Sequence, residues 1–194
     1  MNDSAARASE VMQATQGWLE RAVIGLNLCP FAKAVHTKGQ IHYALCWAQD
    51  TADVLDALAA EMRDLLALAP QQRDTTFLIL PNAFPEFWDF HGVVQRAEKL
   101  LRTLRMDGVL QIASFHPQFE FADAPAGDMA HCTNRSPHPI LHLLREDSMD
   151  RAVAAYPDAA LIYERNIARL RALGPAGWQA LQVAAPVRLE AGAP

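Results

Sequence analysis

QIASFHPQFEF (111–121), then a polar bridge, then HCTNRSPHPILHLLRE (131–146): the stretch from Gln111 to Glu146 decides how the chain is read. The apolar run VLQIASF (109–115) reads as a strand, opened by the turn at Asp107-Gly108. Beyond the bridge, Pro139 stands at the first position of what reads as a short helix over 139–146. Four of the chain's seven histidines (His116, His131, His138 and His142) lie between these limits, together with Cys132, Arg135 and Arg145. The rest of the chain reads as scaffold that ends at this segment or packs around it.

Toward the N-terminus, TTFLIL (75–80) is an unalternated apolar run, the pattern of a strand buried on both faces. A helix over about 85–105 joins it to the 109–115 strand, with Pro85 in its first turn. Its stripe is Phe90, Val93 or Val94, Ala97, Leu101 and Leu104. IHYALCW (41–47) alternates, so Ile41, Tyr43, Leu45 and Trp47 share one face of a strand opened by Gly39. Asp50 or Thr51 caps a helix over about 51–69 with the stripe Val54, Leu58, Met62, Leu65 and Ala69, stopped by Pro70. Residues 7–26 form an amphipathic helix on Val11, Thr15, Trp18, Ala22 and Leu26 that ends in LNLCPFA, where Pro30 restricts Cys29 to extended backbone. Strands separated by helices of this length imply β-α-β-α-β with parallel neighbours and right-handed crossovers. The fold expected is a single-domain α/β protein with a small, mainly parallel sheet of three to four strands. A split, ferredoxin-like α+β arrangement is the alternative.

Toward the C-terminus, Ser148 caps a short turn to about Tyr156, and Asp158 caps a helix over about 159–173 that Gly174-Pro175 ends. Residues 177–185 add one more turn, and Glu190 to Pro194 fray. The 194 residues suit one domain, ordered over about 7–185.

Composition narrows the function classes. A chain 51% hydrophobic and 20% charged is globular. No apolar run reaches the length of a membrane span, and the N-terminus MNDSAARASEVMQ has no secretory apolar core. Three widely spaced cysteines do not suggest a disulfide framework, which points to a reducing, cytoplasmic setting. A net charge of −5 and only three lysines (Lys33, Lys38, Lys99) argue against nucleic acid as a partner. Abundant alanine beside arginine-rich polar faces hints at a GC-rich bacterial gene.

In open parallel sheets, ligands bind beyond the carboxyl ends of the strands, which here are Ala48, Pro81-Asn82 and His116-Pro117. His116 therefore stands where a catalytic histidine is expected, or else is a strand-end residue bonded to a loop carbonyl. A helix starting at Pro139 would offer free N–H groups to an anion, with Asn134 and Arg135 just ahead of it and Arg145 one to two turns on. His138 and His142, four apart, would share a face of that helix. The competing reading is a capped surface helix whose arginines pair with Glu146 and Asp147. Cys29 is the candidate nucleophile, with Lys33 and His36 near it in sequence, but a helix C-terminus opposes a thiolate and a packed, inert thiol is the better reading. Asn166 falls on the apolar stripe of the last helix and needs a hydrogen bond there, and bracing the loop of Asn134 and Arg135 is the expected use. No metal is expected: C-x-x-C is absent and HPILH lacks the glutamate of HEXXH, which leaves zinc on His138 and His142, completed from His116, His131 and Cys132, only as an alternative.

LNLCPFA, QIASFHPQFEF, NRSPHPILHLLRE and the terminal I-x3-N-x6-LG together resemble a bacterial family, domain of unknown function 1415, over about Trp18 to Gly174. The resemblance implies a stand-alone bacterial protein of this size and no established activity. The family's recurring motif positions fall on Cys29, His116, Asn134, Arg135, His142, Arg145 and Asn166.

Three functions follow. The first is an enzyme acting on a small anionic substrate, a carboxylate or phosphate. Asn134, Arg135, Arg145 and Asn166 would hold it, His116 or His142 would move a proton, and Cys29 would serve as nucleophile if the fold brings it to His116. The second is a non-catalytic ligand-binding domain that uses the same pocket. The third is a structural or partner-binding protein in which these residues are caps and braces.

Overall fold

Between Pro139 and Glu146 the chain is a strand. The computed structural model describes residues 2–156, 158 and 161–183. Helix α1 (Asn2–Trp18) runs into a π-helical turn, Leu19–Ile24, and a short helix α2 (Ala32–Thr37) follows. Then come β1 (Ile41–Leu45), α3 (Thr51–Ala67), β2 (Thr75–Ile79), α4 (Phe87–Thr103) and β3 (Leu110–Phe115). A 3-10 turn at Met129–Thr133 leads to β4 (Ile140–Arg145), α5 (Glu146–Ala154) and α6 (Ile162–Ala180).

The four strands lie in the order β1-β2-β4-β3. β1 and β2 are parallel, while β4 is antiparallel to both β2 and β3. The three strands joined by α3 and α4 do share one direction, as the sequence suggests. β4 wedges between β2 and β3, however, so the sheet is mixed and not mainly parallel. That insertion is the split β-α-β part of the ferredoxin-like alternative. The complete alternative does not form, because β1 joins β2 in parallel through α3 and helices cover both faces.

The helix expected over 139–146 is overridden by context. ILHLL carries apolar groups on both sides of an extended backbone, as TTFLI does, and every residue of β2 is buried. A short apolar run cannot be assigned from periodicity alone. Two ladder partners decide it here, and Pro139 is tolerated because it precedes the ladder while its carbonyl accepts from Leu80 N–H at 2.9 Å.

Strand alternation builds two cores. Ala44, Leu78, Leu141, Leu143 and Leu110 face α3 and α4, meeting Val54, Leu58, Met62, Leu65, Phe90, Val93, Ala97 and Leu101. Tyr43, Phe77, Ile79, Ile140 and Phe115 face the other way, against Val11, Trp18, Leu19, Ala22 and Val23. The expected stripes of α3 and α4 and the shared face of Ile41, Tyr43, Leu45 and Trp47 therefore join the cores, except Ala69, which is exposed because α3 ends at Ala67, short of the expected residue 69. Asp50 caps α3, accepting from Asp53 N–H at 3.0 Å.

Several boundaries move. Helix α4 starts at Phe87, so Pro85 precedes it rather than opening it. Helix α5 starts directly after β4, which places Ser148 inside it instead of at a cap. Gly174 (φ 67°) and Pro175 break α6 without ending it. Asp158 pairs with Arg165 at 2.8 Å, while residues 159 and 160, where its helix was expected to begin, lie outside the described residues, as do 184–194.

Candidate functional site

The stretch richest in histidine is largely engaged with itself. His116 ends β3 and is fully buried. Its Nε2 lies 2.9 Å from the Phe84 carbonyl and its Nδ1 accepts from Gln118 N–H at 3.0 Å. The carbonyl can only accept, so Nε2 carries the proton and neither ring nitrogen is left free. The ring stacks on Phe90 at 5.2 Å, and burial lowers its pKa. It holds Phe84, whose φ of 53° is left-handed, at the mouth of the loop before α4. His131 is used likewise, with Nδ1 accepting from Phe121 N–H at 3.1 Å and Nε2 at 2.9 Å from the Pro125 carbonyl.

Asn134 closes the same loop. Its Nδ2 donates to the Ser114 carbonyl at 3.2 Å and its own carbonyl accepts from His116 N–H at 3.1 Å. Arg135 donates from Nε to the Phe119 carbonyl at 3.4 Å, and its guanidinium neighbours the buried Cys132 thiol. At the carboxyl ends of β1 and β2, Arg7 lies over the Trp47 ring at 5.1 Å and donates to Asn82 Oδ1 at 2.5 Å. Arg7 of α1 and the loop bonds of His116 and Asn134 thus reach the strand ends where a ligand was expected.

Arg145 and Asn166 serve other elements. With no helix at 139–146 there is no helix start beside Arg135, and His138 and His142 do not share a helical face. Arg145 instead reaches the C-terminus of α3, where its Nη2 donates to the carbonyls of Leu65 and, at 2.7 Å, Leu68, and its Nε to that of Arg73 at 3.3 Å. A fork of donors on a helix's last carbonyls is a favourable cation cap. Asn166 donates to the Leu28 carbonyl at 2.6 Å rather than bracing the Asn134 loop. Arg169 joins it on the carbonyls of Leu26 and Asn27.

Cys29 and His142 do come together, on the sheet face away from α3 and α4. Both line a cavity of about 90 Å³ at the amino ends of β1 and β2, which is the opposite edge from the one expected. Its floor is Ile41, Thr75, Phe77, His142 and Leu144. Leu19, Phe31, Ala32 and Val35 wall one side, and Ser148, Met149 and Ala152 of α5 the other. Asp74 and Arg145 lie at its margin, where Asp74 Oδ1 accepts from Ser148 Oγ at 2.6 Å.

The register explains the polar pair inside. Thr75 lies opposite Leu144 and Phe77 opposite His142, so Thr75 and His142 are diagonal neighbours on one face. Thr75 Oγ1 sits 2.6 Å from His142 Nε2 and donates to the Leu143 carbonyl at 2.5 Å. Phe77 crosses the imidazole at 4.4 Å. Burial holds the imidazole neutral, with its pKa pushed down to about 3.

Cys29 is not at a helix C-terminus in the sense that opposes a thiolate. It leads into α2, and the Phe31 and Ala32 amides lower its pKa. Burial outweighs them, so the thiol is raised overall. No hydrogen bond joins its sulfur to an imidazole among the described residues. Nor do the described residues hold a group of three or more His, Cys, Asp or Glu placed to bind a metal. No described helix is long and apolar enough to cross a membrane.

Sequence reasoning missed Thr75, Asp74, Ser148 and α2. The signal for Thr75 was available: two threonines open a strand buried on both faces, and a buried hydroxyl needs a partner.

Comparison with known proteins gives one match. The model of the family described as "Protein of unknown function (DUF1415)" matches residues 10–180. No curated protein and no solved structure matches the chain.

Proposed function

The chain belongs to the DUF1415 family, and for it we propose a small-molecule-binding function seated in the Cys29–His142 cavity. The observation that carries this reading is the cavity itself: a mainly apolar space enclosing one neutral imidazole and one thiol. Its volume of about 90 Å³ exceeds the ~10–15 Å³ that one water needs. It is smaller than the ~150 Å³ of an engineered cavity that takes benzene, so a compact ligand suits it.

An anionic ligand fits these surroundings less well. Arg145 is turned to the α3 carbonyls, Asp74 supplies negative charge at the margin, and the imidazole is neutral. Catalysis finds less support than binding, since the sulfur and the imidazole are not hydrogen-bonded to each other.

Amide chemical shifts recorded during titrations with 2-butanone, 2-butanol and butyrate test the reading. The neutral probes are expected to perturb amides of β2, β4 and α2, and Ala152→Leu, which fills the cavity, is expected to abolish the effect. Perturbation by butyrate alone, or by none of the three, would refute it.

A further inference from the structure

Two acceptors fix the tautomer of His142. The Leu143 carbonyl has no proton, so the 2.5 Å contact with Thr75 Oγ1 uses the threonine's only hydrogen. Thr75 Oγ1 can then only accept in its 2.6 Å contact with His142 Nε2. The neutral ring therefore carries its hydrogen on Nε2, and Nδ1 is left as a lone-pair acceptor. Nδ1 makes no hydrogen bond with any described residue.

We infer that the cavity selects uncharged ligands that donate a hydrogen bond, such as alcohols or primary and secondary amides, and disfavours isosteres that only accept. This rests on the binding function proposed above. An N–H or O–H of the ligand meets the Nδ1 lone pair, while a ketone or ether oxygen would face it lone pair to lone pair. The apolar body packs on Phe77, Leu144 and Met149. Selection by polarity follows because a donor pairs with the Nδ1 lone pair in a mainly apolar space and an acceptor is repelled by it. Thr75 is the positioning residue: it touches the imidazole and sets which nitrogen carries the hydrogen.

The pair 2-butanol and 2-butanone has the same carbon skeleton and differs in the donor. Titration is expected to show 2-butanol bound roughly 5-fold more tightly, the factor that one neutral hydrogen bond carries. His142→Phe keeps an apolar ring and should erase that preference while both probes still bind. Long-range 1H–15N correlation of the histidine rings reads the tautomer without any ligand, and the Nε2–H form is expected for His142. Equal binding of the two probes, or an Nδ1–H tautomer, would overturn the donor rule and leave the cavity reading standing. Failure of both probes to bind would bring down both together.

Discussion

Residue by residue, the same side-chain type does opposite jobs according to what its polar atoms meet. His116 and His131 have both nitrogens satisfied by backbone, whereas His142 has one satisfied, by the Thr75 hydroxyl. Nothing in the sequence separates them, because the deciding partners lie up to 67 positions away. The burial of His142 has a pH consequence. Its folded pKa of about 3 lies below the 6.5 of an exposed imidazole, so between these values the unfolded chain binds more protons. Stability is complete above about pH 6.5 and falls as pH drops toward 3, by up to ~1.4 kcal/mol for each pH unit. His138, pushed by burial to about 4, acts with the same sign. Asp128, held at about 2 by the Arg171 guanidinium, loses its stabilising charge only at the acid end of that window. Urea unfolding from pH 7.5 to 4.5 is therefore expected to show a shallower decline in His142→Gln than in the parent. Identical slopes would show that His142 titrates normally in the folded protein.

Elements were legible in proportion to how local their causes are. The stripes of α3 and α4, the Asp50 cap and the alternation in β1 follow from neighbours a few positions apart, and the sequence shows them. β4 does not follow in that way. Leucine, histidine and arginine all tolerate a helix, and only the presence of β2 and β3 on either side makes ILHLLR a strand. The role of Arg145 was hidden for the same reason, since the α3 carbonyls it caps precede it by 77 and 80 residues. Arg145→Met is expected to lower unfolding free energy by ~2 kcal/mol, the scale of a few lost hydrogen bonds from a charged donor. Arg145→Lys should recover only part, because one ammonium cannot reproduce the planar fork. Urea titration of the three proteins measures both, and full rescue by lysine would show that charge alone holds the end of α3.

At the scale of the molecule, polar side chains of α6 tie the segment after the first helix and the loop before β4 together. Asn166 and Arg169 hold the carbonyls of Leu26, Asn27 and Leu28, and Arg171 holds Asp128 with two donors. The segment I-x3-N-x6-LG (162–174) thus supplies donors for the carbonyls of LNL (26–28). Asn166→Asp turns a donor into an acceptor facing the Leu28 carbonyl at an otherwise unchanged volume. It is expected to destabilise by more than Asn166→Ala, which costs ~1–3 kcal/mol for the unpaired carbonyl and the lost packing. If thermal melts rank alanine below aspartate, the Leu28 carbonyl is not what the amide serves. The central place of β4 carries one further consequence, for synthesis on the ribosome. As the chain emerges, β1, β2 and β3 and the helices between them are complete while the strand that joins β2 to β3 is still inside the tunnel. Until Arg145 has cleared it, the nascent protein presents two facing unpaired edges, a gap that any other extended segment fits. A holdase that covers this gap during translation, or a slow stretch of codons placed after residue 145, would act on the one step that nucleation of the earlier layers cannot speed.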